Sequence, residues 1–250
     1  DWYLQATTDD GEPVGSAVSE EGRIFLNPQV WAVISGMASP ERAARCMESV
    51  SAHLLREHGA LLLYPAYTKV RTDIGYITRY APGLRENGGV YTHAATWAVW
   101  AYALMGDAAR AYEAFRRICP PNRHADADAY MAEPYVTPGN SDGPVSPFFG
   151  RGGWTWYTGS AQWLHRMATE RILGVRAERE GLRLDPCLPA GWSGFRMRRP
   201  FRGCLYEIEV SNPLGRSTGF ATLEVDGVAL DGNLVPPFRD GGVHRVVATM

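Results

Sequence analysis

The stretch on which the interpretation of this chain depends is Arg85-Glu86-Asn87-Gly88-Gly89-Val90-Tyr91-Thr92-His93, which leads directly into an apolar helical pattern. It combines a guanidinium, a carboxylate, an amide and an imidazole with a pair of glycines, and glycine allows the backbone to approach a ligand closely. A tight turn with a structural ion pair and a buried histidine explains the same residues equally well. The run is therefore a candidate ligand site whose structural alternative carries equal weight.

The composition is that of a globular protein with a sizeable core. The 250 residues are 45% hydrophobic and 21% charged, and the formal net charge is -2. Without a basic surplus, nucleic acid is not an expected partner, and no apolar run is long enough for a membrane helix. Eight Trp and twelve Tyr suit either core packing or stacking on the C–H faces of sugars. The sequence begins with Asp1-Trp2-Tyr3-Leu4 and not with Met, so we expect it to be part of a longer protein.

Cysteine and histidine spacing gives no metal signal. His53 and His58 do not have the i, i+4 spacing of two ligands on one helix face. The four cysteines are far apart and form no C-x-x-C pair: Cys46, Cys119, Cys187 and Cys204. This usage predicts a reducing, cytoplasmic compartment and neither a metal site nor a disulfide scaffold.

Helical spacing of apolar residues recurs over residues 1–174. Asn27-Pro28 and Ser39-Pro40 are helix start signals, because a capping side chain precedes a proline at the first helical position. Apolar stripes follow at spacings of three and four residues: Ala43, Met47, Val50 and Leu54; Ala94, Trp97, Ala101 and Leu104; Ala108, Ala111, Phe115 and Ile118; Ala161, Leu164, Ala168 and Ile172. A very short link joins the second and third of these stripes into a helical hairpin, and long loops lie before and after it. This order predicts an incomplete α/α toroid.

From Val175 onward the period changes from helical to alternating. Leu205 to Val210 alternates with period 2, as a half-buried strand does. Thr222 to Val225 followed by Asp226-Gly227 predicts a strand and a tight hairpin turn, and His244 to Val247 predicts a last strand. We therefore predict a small antiparallel β-sandwich over residues 175–250, which makes the chain an α+β multidomain protein.

A second candidate site is Thr158-Gly159-Ser160, at the predicted start of a helix. Free backbone N–H groups and the helix dipole favour an anion there, although an ordinary N-cap is the commoner explanation. In the first run, Arg85 could clamp a phosphate or sugar hydroxyls. Glu86 could accept from a sugar, act as a base or pair with an arginine, and His93 could donate to a phosphate or be a satisfied core histidine.

Four segments together resemble glycoside hydrolase family 94, the inverting β-glucoside phosphorylases: Gly22-Arg23-Ile24-Phe25-Leu26-Asn27, Arg85 to His93, Glu133-Pro134-Tyr135-Val136 and Trp156-Tyr157-Thr158-Gly159-Ser160-Ala161. The form of the second segment is most similar to the phosphorylase-like domain of cyclic β-1,2-glucan synthases and to β-1,2-oligoglucan phosphorylases. The resemblance covers nearly the whole chain. It implies the C-terminal half of an (α/α)6 toroid over residues 1–174, followed by the C-terminal β-sandwich over residues 175–250.

The resemblance also implies an activity and roles. Arg85 and Glu86 would contact sugar at the cleavage point, and His93, Thr158 and Gly159 would hold phosphate. The reaction would be reversible phosphorolysis of a β-glucoside, with β-1,2-linked glucan oligosaccharides as the expected substrates. Inorganic phosphate would be a co-substrate, with no further cofactor. Since half a toroid exposes apolar helix faces, a homodimer is one way to cover them.

The chain departs from the family pattern at two places. The family's general acid is an Asp in a motif resembling Asp-Trp-Asn-Asp, which this sequence lacks, and Asp1 is not assigned that role. Gly139 stands about where the family often has a Gln that contacts phosphate. Two alternatives therefore stay open: a non-catalytic carbohydrate-binding fragment, and an α/α-toroid hydrolase that uses Glu86 as acid or base.

Overall fold

The chain folds into two compact units. The structure is a computed structural model that describes residues 1–123 and 125–250. Unit 1 comprises Asp1–Leu104 and Glu113–His165, and unit 2 comprises Met105–Tyr112 and Arg166–Met250. Helix gives way to strand between Ile172 and Val175. The mixture of helices with small sheets confirms the α+β class that the sequence predicts.

The helices of the described chain are α1 Leu26–Ile34, α2 Pro40–His53, α3 Thr92–Leu104, α4 Ala108–Ile118, α5 Pro120–Arg123, α6 Ala127–Tyr130 and α7 Thr158–Arg166. A 3-10 turn covers Tyr76–Arg79, and α7 continues into a π-helical segment, Met167–Ile172. In the part of the chain that the structure describes, none of these helices is both long and apolar enough to cross a membrane.

The strands are β1 Ala6–Thr7, β2 Pro13–Val14, β3 Ile24–Phe25, β4 Leu55–Arg56, β5 Gly59–Ala60, β6 Leu63–Tyr64, β7 Val90–Tyr91, β8 Asn140–Ser141, β9 Gly152–Gly153, β10 Val175–Ala177, β11 Leu182–Leu184, β12 Gly194–Phe201, β13 Cys204–Ser211, β14 Thr222–Val225, β15 Val228–Ala229, β16 Leu234–Val235 and β17 Val243–Thr249. Those of unit 1 are two residues long, whereas the long strands lie in unit 2.

Helix α2 forms as its sequence predicts. The hydroxyl of Ser39 accepts a hydrogen bond from the amide of Arg42 at 3.3 Å and caps the helix, and Pro40 occupies the first turn. The predicted stripe is buried throughout: Ala43, Met47, Val50 and Leu54. Burying one stripe of an otherwise polar helix fixes its orientation against its neighbours, and α1 packs against it.

Helix α3 departs from the predicted stripe. Leu104 is 48% exposed, whereas Ala95, Ala98 and Val99, outside the stripe, are buried. The helix is apolar on most of its surface, so three- and four-residue spacing cannot identify one buried face. Small side chains let α1 pack closely against it. The hydroxyl of Tyr102 donates to the carbonyl of Met47 at 3.1 Å and ties α3 to α2.

Two sheets build most of unit 2. Their strand orders are β12-β13-β17-β14-β15 and β10-β11-β16. Inward and outward residues alternate along β13, as its period-2 sequence predicts. Side chains from both sheets share one hydrophobic core, which includes Leu182 and Val235 from the smaller sheet and Ile208 and Val246 from the larger one.

The prediction of a wholly antiparallel sheet is wrong at one pair. Strands β13 and β17 pair in parallel, with Tyr206 opposite His244. The reason is topological. The chain leaves β13 and returns in β14, which pairs antiparallel with β17. The last strand, β17, therefore lies between two strands that run in opposite directions, so it has to be parallel to one of them. The alternation of residues along a single strand cannot reveal that β17 lies between β13 and β14.

Candidate functional site

A small three-stranded sheet of unit 1 brings three distant segments together. Tyr91 of β7 pairs with Asn140 of β8, and Asn140 pairs with Gly153 of β9. The amide of Thr92 donates to the carbonyl of Gly139 at 3.0 Å and extends this pairing. The run Arg85 to His93 therefore lies beside both Gly-rich loop segments.

The amide of Asn87 holds the run in its fold. Its Oδ1 accepts from the backbone N–H of Tyr67 at 2.8 Å, and its Nδ2 donates to the carbonyls of Tyr67 at 2.9 Å and Tyr80 at 2.8 Å. The side chain is fully buried. Because both N–H donors and the oxygen of the buried amide are bound to backbone, Asn87 serves the structure of the loop.

The paired glycines also serve backbone packing. Gly88 has a φ of 83°, and a Cβ there would come within 2.8 Å of the Cβ of Ala66. A Cβ on Gly89 would lie 2.6 Å from the carbonyl oxygen of Arg85, and one on Gly143 would overlap the carbonyl oxygen of Gly88. The close approach that the sequence suggested is therefore an approach of backbone to backbone.

Arg85 and Glu86 form a partly buried ion pair. Nε of Arg85 lies 3.3 Å from Oε2 of Glu86, and their side chains are 27% and 25% exposed. The guanidinium carbon lies 3.9 Å from the ring centre of Trp154 and 4.8 Å from that of Tyr80. The two aromatic rings hold the planar cation in place. The two ion-pair atoms are buried and make no hydrogen bond among the described residues.

Several residues of unit 1 with a side chain have a strained backbone, among them Arg85 and the Trp154 on which it lies. Arg85, Met131, Trp154 and Trp156 all have a positive φ, at 52°, 51°, 51° and 60°. Each costs about 1 kcal/mol or more for a residue with a Cβ, and such residues cluster where function requires a fixed geometry. Trp154 and Trp156 are nevertheless 52% and 62% exposed. The positive φ at these two residues lowers the stability of the fold, and both indole rings remain exposed to solvent.

Glu133 fixes one of these rings. The indole Nε1 of Trp156 donates to Oε1 of Glu133 at 2.9 Å. A hydrogen bond from the Glu133 backbone, and then the one from Trp156, lower the pKa of the Glu133 carboxyl group. Its carboxylate is therefore ionised at neutral pH and positions Trp156, which is the opposite of what a proton donor needs.

His93 lies in the first turn of α3 against aromatic rings. Its ring centre is 4.9 Å from that of Trp97 and 5.6 Å from that of Trp163. Burial lowers the pKa of His93, so the imidazole is neutral at neutral pH and offers one N–H donor. Its Nε2 is buried with no hydrogen-bond partner among the described residues. It is therefore not the fully satisfied core histidine of the structural alternative.

Thr158, Gly159 and Ser160 form the first turn of α7. Their N–H groups precede the first helical hydrogen bond, from the amide of Ala161 to the carbonyl of Tyr157 at 3.1 Å. Thr158 and Gly159 are exposed, and a Cβ on Gly159 would meet nothing within 4 Å. The hydroxyl of Ser160 is buried and unpartnered in the described chain. The turn is therefore open to solvent at Gly159, and the buried hydroxyl of Ser160 is free to bind a further group.

Aromatic contacts connect the two halves of the site. The hydroxyls of Tyr91 and Tyr157 lie 3.4 Å apart, just before His93 and Thr158, respectively. This contact, with lesser effects from burial, raises the pKa of Tyr91 to about 12. The contact of His93 with Trp163 joins α3 to α7 one turn further on. The predicted sugar and phosphate residues thus lie on adjacent elements of one unit.

Asn140 is the main residue that sequence reasoning missed. It is fully buried, and neither its Oδ1 nor its Nδ2 has a hydrogen-bond partner among the described residues. Buried polar side chains are normally satisfied, so such atoms need an explanation. This region contains several of them: Arg85 Nε, Glu86 Oε2, His93 Nε2, Asn140 Oδ1 and Nδ2, and Ser160 Oγ. The only sequence signal for Asn140 was its position between Gly139 and Ser141 in a Gly- and Pro-rich loop.

Comparison with known proteins identifies the family. The family model described as "Glycosyl hydrolase 94 superfamily, catalytic domain" matches residues 1–174. The chain belongs to the glycosyl hydrolase 94 superfamily. The model described as "Glycosyl hydrolase family 65, C-terminal domain" matches residues 175–213. The family resemblance carried by the sequence motifs is confirmed.

Relatives with known activities match this family 94 chain over most of its length. Solabiose phosphorylase of Paenibacillus borealis is 36% identical over 250 residues, which are 100% of this chain and 33% of the relative. N,N'-diacetylchitobiose phosphorylase of Vibrio proteolyticus is 34% identical over 249 residues, 100% of this chain and 31% of the relative. Cyclic beta-(1,2)-glucan synthase NdvB of Rhizobium meliloti (strain 1021) is 41% identical over 216 residues, 84% of this chain and 8% of the relative. The chain spans about a third of the length of the first two relatives.

Proposed function

We propose that the protein carrying this chain catalyses reversible, inverting phosphorolysis of a β-glucoside and releases α-glucose 1-phosphate. The observation that carries the proposal is the set of buried polar atoms without partners among the described residues, which lie on the segments that β7, β8 and β9 bring together and on the first turns of α3 and α7. Family membership and the phosphorylases among the relatives support it.

The proposed roles follow the chemistry of each group. Arg85 and Glu86 bind sugar hydroxyls, since a guanidinium offers donors and a carboxylate offers acceptors. Trp154 offers an exposed ring face to the same sugar. His93 donates its N–H to phosphate, and Thr158 and Gly159 contribute the free amides of a helix N-terminus. This division of roles makes the site a sugar pocket next to an anion pocket.

Such a site needs no general base in this chain. An inverting hydrolase requires an acid for the leaving oxygen and a base to activate water. Phosphate is already an anionic nucleophile, so donors that hold it replace the base. The acid is still required, because protonating a sugar leaving group contributes about 10²- to 10⁴-fold to the rate. We assign the acid to no residue of this chain.

The substrate linkage, the architecture and the assembly are part of the same proposal. The identity with a cyclic beta-(1,2)-glucan synthase favours a β-1,2-linked glucooligosaccharide as substrate. Helical spacing in unit 1 and the shared core of two sheets in unit 2 favour half of an (α/α)6 toroid followed by a β-sandwich. A homodimer and a cytoplasmic location complete the proposal, and sedimentation and cell fractionation test them.

The direct test is an assay of the whole protein that carries this chain. It is supplied with β-1,2-glucooligosaccharides, or with cellobiose for comparison, in the presence and absence of phosphate. We expect sugar phosphate only when phosphate is added, with β-1,2 substrates favoured. Turnover in phosphate-free buffer would support the hydrolase that uses Glu86. Calorimetric binding of glucan without any turnover would support the binding fragment.

Substituting Gly159 by alanine tests whether the first turn of α7 binds an anion or is only an ordinary helix start. The added Cβ meets nothing within 4 Å, and the position needs no positive φ, so the helix should be as stable as before or more stable by about 0.5–1 kcal/mol. A phosphate in contact with the Gly159 amide would meet the methyl group. We expect KM for phosphate to rise at least about tenfold, with an unchanged or higher Tm. An unchanged KM would leave the turn as a structural cap.

Removing the imidazole of His93 tests its assigned ligand. We expect His93→Ala to raise KM for phosphate by about 10- to 100-fold, because the lost hydrogen bond is to a charged acceptor. KM for the sugar should change little. Steady-state kinetics with either substrate varied measure this, and His53→Ala is the matched control, since His53 packs on Trp2 in another part of unit 1. Equal losses for phosphate and sugar would count against the assignment.

A further inference from the structure

A group of metal-ligand side chains lies in unit 2, in a different unit from the proposed sugar and phosphate site. Cys204, Asp240 and His244 each place one ligand atom within 4.8 Å of the others. The linear sequence hides this group, because 39 residues separate Cys204 from His244. The parallel pairing of β13 with β17 brings them together: Tyr206 is opposite His244, and Cys204 is two residues before Tyr206 on the same face.

The distances suit a small tetrahedral ion. Oδ1 of Asp240 lies 3.4 Å from Sγ of Cys204 and 3.1 Å from Nε2 of His244. Zinc bonds of about 2.0–2.3 Å at tetrahedral angles separate neighbouring ligand atoms by about 3.3–3.6 Å. The two distances to Asp240 therefore lie within a few tenths of an ångström of those of a zinc site, and Sγ of Cys204 lies within 4.8 Å of Nε2 of His244.

The imidazole is oriented as a metal ligand is. Asp226 lies in the β14–β15 turn, and its Oδ2 is 2.8 Å from Nδ1 of His244. A hydrogen bond from Nδ1–H to a carboxylate leaves Nε2 as the ligand nitrogen, which is the carboxylate–histidine–metal arrangement of known sites. The other oxygen of Asp226 accepts from the amide of Arg245 at 2.8 Å, and Phe238 stacks on the imidazole at 3.9 Å. The ring is thus fixed on both its edge and its face.

We propose that Cys204, Asp240 and His244 bind one Zn²⁺, with Asp226 positioning His244. A thiolate together with an imidazole selects a borderline metal such as zinc over magnesium or calcium, which prefer all-oxygen sites. Cys204 and His244 are buried, whereas the Asp240 side chain is 60% exposed, so the ion enters on the Asp240 side and solvent supplies the fourth ligand. On binding, the Cys204 thiol loses its proton to solvent.

The site would fasten one end of the β13–β17 pair inside the larger sheet. Asp240 lies in the loop before β17, Cys204 begins β13 and His244 lies near the start of β17. A metal bound to all three joins the loop to both strands. Since a ligand that binds only the folded state stabilises it, zinc should raise the Tm of unit 2 and chelation should lower it.

The test is metal binding by the full chain. Zn²⁺ is titrated calorimetrically, and Co²⁺ is used as a spectroscopic substitute. We expect one equivalent per chain, visible bands typical of tetrahedral Co²⁺, and a thiolate-to-cobalt charge-transfer band. Cys204→Ser should abolish the charge-transfer band, and Asp240→Asn, which keeps the shape of the side chain, should weaken binding. Asp226→Asn should weaken it by about 10- to 100-fold.

Cys119→Ser is the matched control, because Cys119 is a half-buried free cysteine in unit 1. It should bind zinc as the parent chain does. Far-UV circular dichroism of each variant checks that it is folded, and Asp240→Asn keeps the test available if Cys204→Ser does not fold. Failure of the parent chain to bind an equivalent of Zn²⁺ would overturn the proposal. So would a Co²⁺ complex without thiolate character, or binding by Asp240→Asn as tight as by the parent. The cluster would then be an ion pair between His244 and its two carboxylates.

Discussion

Gly143→Ala should strongly destabilise unit 1, although it adds only a single methyl group. The added Cβ would overlap the carbonyl oxygen of Gly88, and the next contacts are also backbone atoms of Gly88 and Gly89. Backbone that is fixed by the Asn87 hydrogen bonds cannot move aside as the end of a flexible side chain can. We expect the free energy of unfolding to fall by about 3 kcal/mol or more, at the upper end of overpacking effects.

Chemical denaturation of the variant and its parent measures this loss. Gly159→Ala is the control, because it makes the same substitution at a position where nothing lies within 4 Å. The control should unfold at the same or a higher denaturant concentration. If the Gly143 variant is as stable as the control, the Gly88–Gly89 backbone is not held against Gly143, and the described geometry of the site is wrong.

Arg85→Ala should have the largest effect on activity. The substitution removes a cation that is held between Trp154 and Tyr80, and it leaves the partly buried carboxylate of Glu86 without its partner. We expect kcat/KM for the sugar to fall by about 100-fold, equivalent to about 2.7 kcal/mol of lost interaction with the substrate. Arg85→Lys should recover part of the loss, because it restores the charge but not the planar donor group.

Arg79→Ala is the matched control for this prediction. Arg79 also lies over an aromatic ring, that of Tyr76 at 5.9 Å, but no acidic partner is found for it in the described chain. Its removal should leave kcat/KM within about twofold, as surface substitutions usually do. Activity of the Arg85→Ala protein close to that of the Arg79→Ala protein would exclude Arg85 from the sugar pocket.

Periodicity predicted those elements that bury one face. Helix α2 has a polar side and an apolar side, so the stripe from Ala43 to Leu54 identifies its buried residues. Strand β13 alternates for the same reason. Helix α3 buries residues around most of its circumference, which leaves no contrast for a period to detect, and Leu104 was wrongly expected to be buried. The order of strands in a sheet depends on contacts between residues far apart in sequence, so local patterns could not predict that β17 pairs in parallel with β13.

Motifs predicted the segments of the site better than the roles of individual residues. The run from Arg85 to His93 and the turn at Thr158 lie on adjacent elements, as the family resemblance implies. Within the run, however, Asn87 and the two glycines serve the backbone, which the sequence could not distinguish from ligand binding. Asn140 was missed because its burial without a partner depends on pairing with Tyr91, about 50 residues earlier. Residue type reveals what a side chain can do, whereas tertiary pairing decides which side chains remain unsatisfied.

An NMR time course with the whole protein that carries this chain tests most directly whether the reaction is phosphorolysis. A β-1,2-glucooligosaccharide is mixed with inorganic phosphate, and proton and phosphorus spectra identify the first product. We expect α-glucose 1-phosphate, formed with inversion, at a rate that saturates with phosphate, and we expect His93→Ala to shift that saturation to higher phosphate concentrations. Release of free glucose at the same rate with and without phosphate would contradict the proposed reaction.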